Sequence, residues 1–270
     1  MKIGITGQSG FIGSHLYNYF GTQEDVKRVA FKDEYFQDKT ALDNFVNKCE
    51  VIVHLAALNR HEKKGIIYRT NIDLVKELIS ALRRTKSKPH VLMSSSTQES
   101  RNNEYGRSKR IGRELFIKWA RQNKGKFTGL VIPNVFGPFG KPFYNSVIST
   151  FSYQITHQQK PEIDIDAKIN LIYVQDLVEL VYNIISKKIY QNRYKVDPIG
   201  SAKVYEILNK LNNFHRQYFQ EGAFPDLSNY FDLCLFNTYR SYVNDEFFPR
   251  NLQLHADDRG TFVEIIKAQS

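Results

Sequence analysis

The sequence predicts an α/β fold, a doubly wound parallel sheet with a smaller, mostly helical C-terminal part that would bind substrate. Three observations carry that prediction. Short, nearly all-apolar runs alternate with helix-periodic segments through the first half of the 270 residues, as expected for strands covered on both faces by crossover helices. A glycine-rich turn from Gly7 to Gly13 separates the first such run from the first helical segment. Beyond about residue 138 the alternation weakens and helical patterns dominate. Right-handed crossovers between parallel strands then wind the chain both ways from the middle of the sheet.

The elements follow in order. Lys2–Thr6 is predicted as a strand, Phe11–Phe20 as a helix and Val26–Phe31 as the second strand. Leu42–Cys49 is a short helix, and Val51–Leu55 is apolar enough for a strand buried on both faces. Within Asn71–Arg84 the residues Ile72, Val75, Leu78, Ile79 and Leu82 recur at the spacing of one helix face. Val91–Ser94 is a strand, Tyr105–Gln122 a helix and Phe127–Pro133 a strand. Later, Asn145–His157, Asp176–Lys187, Lys203–Leu211 and Leu227–Tyr242 read as helices and Leu171–Val174 as a strand. From Asn251 the character changes, with Leu252–Leu254 and Thr261–Ile266 as short strands around a turn at Asp257–Gly260. Residues 1–140, with sheet contributions from about 169–200, therefore form one domain, 141–250 an interwoven substrate-binding part, and 251–270 a tail.

Composition excludes several classes. Apolar content of 41% and charged content of 24% are ordinary for a globular chain. No apolar run is long enough to predict a membrane span, and Met1–Gly7 meets glycine too soon for a signal peptide. Cys49 and Cys234 make no disulfide framework and lie in no metal-binding pattern, so a reducing cytoplasm and no metal are expected. The net charge of +10 is spread along the chain without a nucleic-acid-binding signature. A basic surface of that kind attracts ligands that carry phosphate.

Gly7-Gln8-Ser9-Gly10-Phe11-Ile12-Gly13 directly follows the first strand and opens the first helix. One glycine permits the tight turn, the next lets backbone approach a pyrophosphate, and the third lets helix pack on strand. Free amides at the helix N-terminus, aided by its dipole, then hold the anion. This is the phosphate loop of a Rossmann-like domain, and it predicts NAD(P).

Tyr105 and Lys109 stand at i and i+4, on one helix face. A phenol with its ordinary pKa near 10 is a poor proton-transfer group at neutral pH. An ammonium one turn away stabilises the phenolate and lets the pair exchange a proton with a carbinol oxygen. Just upstream, Val91-Leu92-Met93-Ser94-Ser95-Ser96-Thr97 ends a strand in hydroxyls, where a parallel sheet presents its ligands. His54, on a buried strand, reads as a hydrogen-bonded core residue and not as a catalyst.

These residues together resemble the extended short-chain dehydrogenase/reductase family, to which the spacing of the glycine loop is also similar. The resemblance implies Ser96 as the serine of a serine–tyrosine–lysine set, with Ser95 or Thr97 as alternatives. It also places His54-Leu55-Ala56-Ala57 beside the adenosine side of the cofactor, and Asn71 in the helix flanking the sheet. Ile132-Pro133-Asn134-Val135-Phe136-Gly137-Pro138 resembles the family's segment next to nicotinamide and sugar, and Tyr173-Val174-Gln175-Asp176 its late strand-to-helix motif. The matches run in order over roughly residues 3–180. Gly7 to Gly13, Lys32, Leu55, Ala56, Ala57, Asn71, Tyr105, Lys109 and Pro133 are thereby expected at the cofactor.

Two stretches, His54–Arg60 and Lys141–Ile148, resemble one branch, the capsular-polysaccharide reductases of the N-acetyl-L-fucosamine pathway. Members of that branch use NADPH on the C4 ketone of a UDP-4-keto-6-deoxy-N-acetylhexosamine and carry a C-terminal cupin that epimerises a neighbouring carbon. The resemblance implies a UDP-sugar substrate and a homodimer. It sets Asn134 near sugar or phosphate, and Lys141, Tyr144, Asn145 and Arg60 as further substrate contacts. His255–Glu264 resembles the opening of the cupin; with the sequence ending at Ser270, no metal-dependent epimerisation is expected of these residues.

Cofactor choice is read where the second strand ends. Lys32 there suits the 2′-phosphate of NADP, whereas Asp33 suits the 2′-hydroxyl of NAD, with Arg28 and Arg60 as other basic candidates. NADPH is favoured because the resemblance points the same way, and NAD stays possible. Two rival functions remain open: an epimerase or dehydratase that retains NAD, and a non-catalytic nucleotide-binding protein. Dehydration needs an acid/base pair beside the serine, for which Thr97-Gln98-Glu99 offers only Glu99.

Overall fold

The computed structural model describes residues 1–247, 252, 254–264 and 267–268. In chain order its elements begin β1 (Lys2–Thr6), α1 (Phe11–Gly21), β2 (Lys27–Val29), α2 (Lys39–Lys48), β3 (Val51–His54) and α3 (Ile66–Arg84). Next come β4 (His90–Ser96), α4 (Glu104–Asn123), β5 (Lys126–Ile132), β6 (Asn134–Phe136), α5 (Val147–Thr156), β7 (Lys168–Tyr173) and α6 (Val174–Ser186). The remainder are β8 (Tyr194–Lys195), β9 (Gly200–Lys203), α7 (Val204–Phe214), β10 (Ala223–Phe224), α8 (Tyr230–Arg240), β11 (Leu254–Asp257), β12 (Gly260–Val263) and β13 (Lys267–Ala268). The chain divides into two compact units, one of Met1–Pro133 with Val174–Asp197, the other of Asn134–Tyr173 with the described residues from Pro198 on.

In the first unit six strands form a sheet in the order β2-β1-β3-β4-β5-β8, every pair parallel. This is the doubly wound Rossmann-like architecture that the sequence predicts. Because β1 is followed on one side by β2 and on the other by β3, the winding reverses between β1 and β3. A crevice opens at the carboxyl ends of strands at such a switch point. Thr6 pairs there with His54, so the Gly7 loop and the Leu55 loop leave the sheet side by side. Beneath α2, α3 and α4 lies a core of Phe45, Val46, Val75, Leu78, Leu82, Phe116 and Trp119.

Several boundaries differ from the sequence reading, each for a tertiary reason. β2 stops at Val29, short of the predicted Phe31, because Phe31 turns inward against Phe45 with ring centroids 4.8 Å apart. α3 begins five residues before Asn71: Gly65 caps it with φ of 85°, and its N–H donates to Glu104 Oε1 at 2.7 Å. β4 continues through Ser96 because the serine hydroxyls find buried partners, and a short 3-10 turn, Thr97–Ser100, follows it. Val174, expected to close a strand, instead opens α6.

The second unit holds a sheet of order β6-β7-β9, with β6 and β7 parallel and β7 and β9 antiparallel. α5, α7 and α8 bury Phe151, Ile207, Leu211, Leu235, Phe236 and Tyr239 in its core. β6 and β9 are too short for periodicity to have revealed them. The expected tail hairpin is present as β11 and β12, Asp257 opposite Gly260. Asn251, Gln253, Ile265, Ile266, Gln269 and Ser270 of that expected tail lie outside the described residues.

Candidate active site

The site in the first unit is built on the carboxyl ends of β1, β3 and β4 and on the N-terminal turns of α1 and α4. Gly7 holds φ of 73°, and a methyl group there would sit 2.7 Å from the Ala56 backbone nitrogen. One on Gly13 would sit 2.2 Å from the Gly7 carbonyl oxygen, so both positions demand glycine. Gly10 caps α1 without a side-chain bond, and the first turn carries no acidic residue. The α1 amides are thus left to an anion. Gln8 Oε1 is buried and, among the described residues, accepts no hydrogen bond. Such an orphan calls for a donor from a bound group, and the loop fits a dinucleotide. Ser9 is exposed, and Phe11 and Ile12 are half-buried.

Leu55, Ala56 and Ala57 leave β3 half-buried along the same crevice. Asn71, 4% exposed, grips this loop: its Oδ1 accepts from Leu58 N at 2.6 Å, and its Nδ2 donates to Leu58 O at 3.0 Å. Nδ2 also donates to Ser108 Oγ at 3.0 Å, and that hydroxyl donates to the Tyr105 carbonyl at 2.7 Å. Asn71 therefore ties the loop to the helix that carries Tyr105. Lys32 and Asp33 are both exposed beyond the end of β2, Lys32 capping a short 3-10 turn and Asp33 opening it. Pro133 is buried just after β5, and Arg60 is exposed.

Lys109 is buried, and its Nζ donates to Ser94 O at 3.0 Å and to Ser94 Oγ at 3.3 Å. Burial alone pushes its pKa down to about 8. The ammonium lies 5.6 Å from the Tyr105 ring centroid, so α4 sets the pair together as the i, i+4 spacing requires. A methyl group at Gly106 would lie 2.0 Å from the Gln98 carbonyl oxygen; only glycine lets α4 approach the Thr97–Ser100 turn so closely. The Tyr105-Gly106 dipeptide was the sequence signal for that contact. His54 is fully buried with Nδ1 2.8 Å from Thr6 Oγ1, and burial, then the charge of Lys109, push its pKa down to about 3. It is a neutral core imidazole.

The three serines differ. Ser94 serves Lys109, and Ser95 donates to the buried carboxylate of Glu99. Ser96, half-buried, accepts from Gln98 N at 3.2 Å and so caps the Thr97–Ser100 turn. Among the described residues its hydroxyl donates to no group, which leaves that proton for a bound oxygen. Thr97 is exposed. Glu99 is held by Arg113, Nε to Oε1 at 2.8 Å and Nη2 to Oε2 at 3.0 Å. Burial works to raise its pKa, but hydrogen bonds from Arg113 and Ser95 and the charges of Arg113 and Arg193 outweigh it and hold the carboxyl below its usual range. Sequence reasoning named Glu99 without its partner; Arg113, four residues beyond Lys109, was the missed half of the pair.

The remaining expected residues lie in the second unit. Asn134, exposed, opens β6 and donates to Asn170 O at 3.1 Å. Lys141, Tyr144 and Asn145 are exposed in the loop before α5, with Lys141 Nζ 5.8 Å from the Tyr144 ring centroid. Among the described residues, no cluster of three or more His, Cys, Asp or Glu is placed to hold a metal.

Residues 3–196 match the NAD dependent epimerase/dehydratase family. Over 99% of its length the chain is 30% identical to a UDP-2-acetamido-2,6-beta-L-arabino-hexul-4-ose reductase of Pseudomonas aeruginosa, covering 72% of that protein. It superposes on the capsular polysaccharide assembling protein CapF from Staphylococcus aureus with a TM-score of 0.83 at 30% identity, covering 98% of this chain and 72% of that one. RMD from Pseudomonas aeruginosa, solved with NADPH, shares the fold at 17% identity and a TM-score of 0.73, covering 90% of this chain and 97% of that one.

Proposed function

This chain belongs to the NAD dependent epimerase/dehydratase family, an NAD(P)-dependent enzyme of the extended short-chain dehydrogenase/reductase type, and from that premise we propose that it reduces, with NADPH, the C4 ketone of a UDP-linked 6-deoxy-4-keto-N-acetylamino sugar. The observation that carries the reading is the buried Lys109 beside Tyr105, facing the hydroxyl-bearing end of β4. Tyr105 gives its proton to the C4 oxygen as the alcohol forms. Lys109 stabilises the phenolate left behind, with its force undiluted by water. Ser96 donates a hydrogen bond to the same oxygen and fixes its place. NADPH, when bound, supplies hydride to the C4 carbon. The Gly7–Gly13 loop holds its pyrophosphate, Leu55, Ala56, Ala57, Asn71 and Pro133 border it, and Lys32 takes the 2′-phosphate. Asn134, Lys141, Tyr144, Asn145 and Arg60 are assigned to the sugar nucleotide.

The identity of a relative named as a reductase supports this choice. Dehydration loses its acid/base candidate, because Glu99 is committed to Arg113. A homodimer working in the cytoplasm completes the reading; among the described residues, no helix is long and apolar enough to cross a membrane.

The test is the loss of NADPH or NADH absorbance when purified protein meets UDP-4-keto-6-deoxy-N-acetylhexosamine generated in situ. Substrate-dependent NADPH oxidation is expected, lower by about a hundredfold or more in Tyr105→Phe. A sugar left untouched, or isomerised with no net oxidation of either cofactor, overturns the proposal.

A further inference from the structure

Tyr105, Lys109 and Arg113 fall at successive i+4 positions and form one stripe down α4. The first two are the proton-transfer pair of the reductase reading. The third has no part in it, yet it is 9% exposed and bound on every side. Its guanidinium forks onto Glu99, itself 7% exposed, and its Nη1 donates to Asn192 O at 3.4 Å. Glu99 in turn accepts the Ser95 hydroxyl, from the residue between Ser94, which holds Lys109, and Ser96. Arg193, with a half-exposed side chain, adds a second positive charge 3.8 Å from Glu99 Oε2. Space for the Arg113 stem comes from Gly129 on β5, where a methyl group would lie 2.5 Å from Arg113 Cδ.

A buried ion pair is expensive to desolvate and adds little net stability over an apolar pair of the same volume. What a bidentate carboxylate–guanidinium pair supplies without rival is orientation. This one ties the α4 stripe to the Thr97–Ser100 turn and, through the Ser95 hydroxyl, to the end of β4; proton transfer requires that stripe and that strand end in fixed relative placement.

We propose that Glu99 and Arg113 are positioning residues for the site: the pair locks Ser95, and with it the Ser94–Ser96 strand end, against the α4 stripe, so that the Ser96 hydroxyl stays in register with Tyr105 and Lys109. The inference rests on the reductase reading for its kinetic consequence, but not for its structural one. A displaced strand end impairs the chemical step more than cofactor binding, which draws mainly on the α1 loop, the Leu55–Ala57 loop and Lys32.

The experiment compares the full-length wild type with E99Q and the double variant E99Q/R113M, the latter to remove the penalty of an unpaired buried charge. In both, kcat should fall by about tenfold to a hundredfold with the KM for NADPH unchanged, and backbone hydrogen exchange should quicken over residues 94–101. A double variant that melts like wild type yet keeps the low kcat supports positioning. Recovery of kcat together with stability in the double variant overturns it, because the pair then serves folding alone. If the wild type oxidises neither cofactor, the reductase reading falls. Hydrogen exchange then decides this inference by itself, and unchanged protection over residues 94–101 in both variants overturns it.

Discussion

Lys109 shows how burial tunes a single group. Its pKa near 8, well below the 10.5 of a solvated lysine, comes from desolvation by burial. The ammonium is present below that value and lost above it. We therefore expect kcat/KM for ketone reduction to fall as pH rises through about 8, in a pH–rate profile from which Lys109→Arg, always charged, removes this limb. The stability sign is opposite. Between the folded and unfolded pKa values the unfolded chain binds the extra proton, so Lys109 favours the fold more as pH rises across that window. The sequence made the Tyr105/Lys109 pair legible because spacing within one helix is a local property. It left the serines open, since hydroxyls of one type in one strand are told apart only by partners that β3, α4 and the Thr97–Ser100 turn bring to them.

At the scale of the element, α3 combines two duties. Val75, Leu78 and Leu82 bury one face in the core, while Asn71, one turn earlier, grips the Leu58 backbone and Ser108. Leu78 is fully buried, so Leu78→Ala should cost about 2–5 kcal/mol of folding free energy, measured as a lower urea midpoint with unchanged slope. The apolar spacing revealed the core face of this helix, but not its first turn. Gly65 opens the helix in a left-handed conformation that only the contact with Glu104, thirty-nine residues on, explains. β2 was overestimated by the same logic: Ala30–Phe31 has strand composition, yet Phe31 is worth more to the core than to the sheet edge. The Glu99–Arg113 pair was illegible for a related reason, because its members belong to different elements and neither charge is unusual where it stands.

For the whole molecule the charge balance matters most. With 38 basic and 28 acidic residues, the surface carries a positive field that draws in a dinucleotide and a sugar nucleotide, both bearing pyrophosphate. Salt screens such a field over a Debye length of about 8 Å at 0.15 M ionic strength. We expect kcat/KM for the sugar nucleotide to fall by a few-fold or more between low and high salt while kcat holds, in steady-state kinetics at fixed saturating NADPH. An unchanged kcat/KM would mean that binding owes nothing to the long-range field. The doubly wound parallel architecture, by contrast, was readable at this scale from alternation alone, since buried crossovers leave few other topologies; the order of the strands came only with the structure.

The two outermost strands of the six-stranded sheet are also its shortest: β2 has three residues and β8 two. Both carry cations, Lys27 and Arg28 on one margin and Lys195 on the other. Unpaired strand margins are templates on which foreign chains add and fibrils start, and brevity and lysine are the usual defences. The sheet that presents the site thus ends on each side in a short, cationic border, which disfavours the addition of a neighbouring chain there.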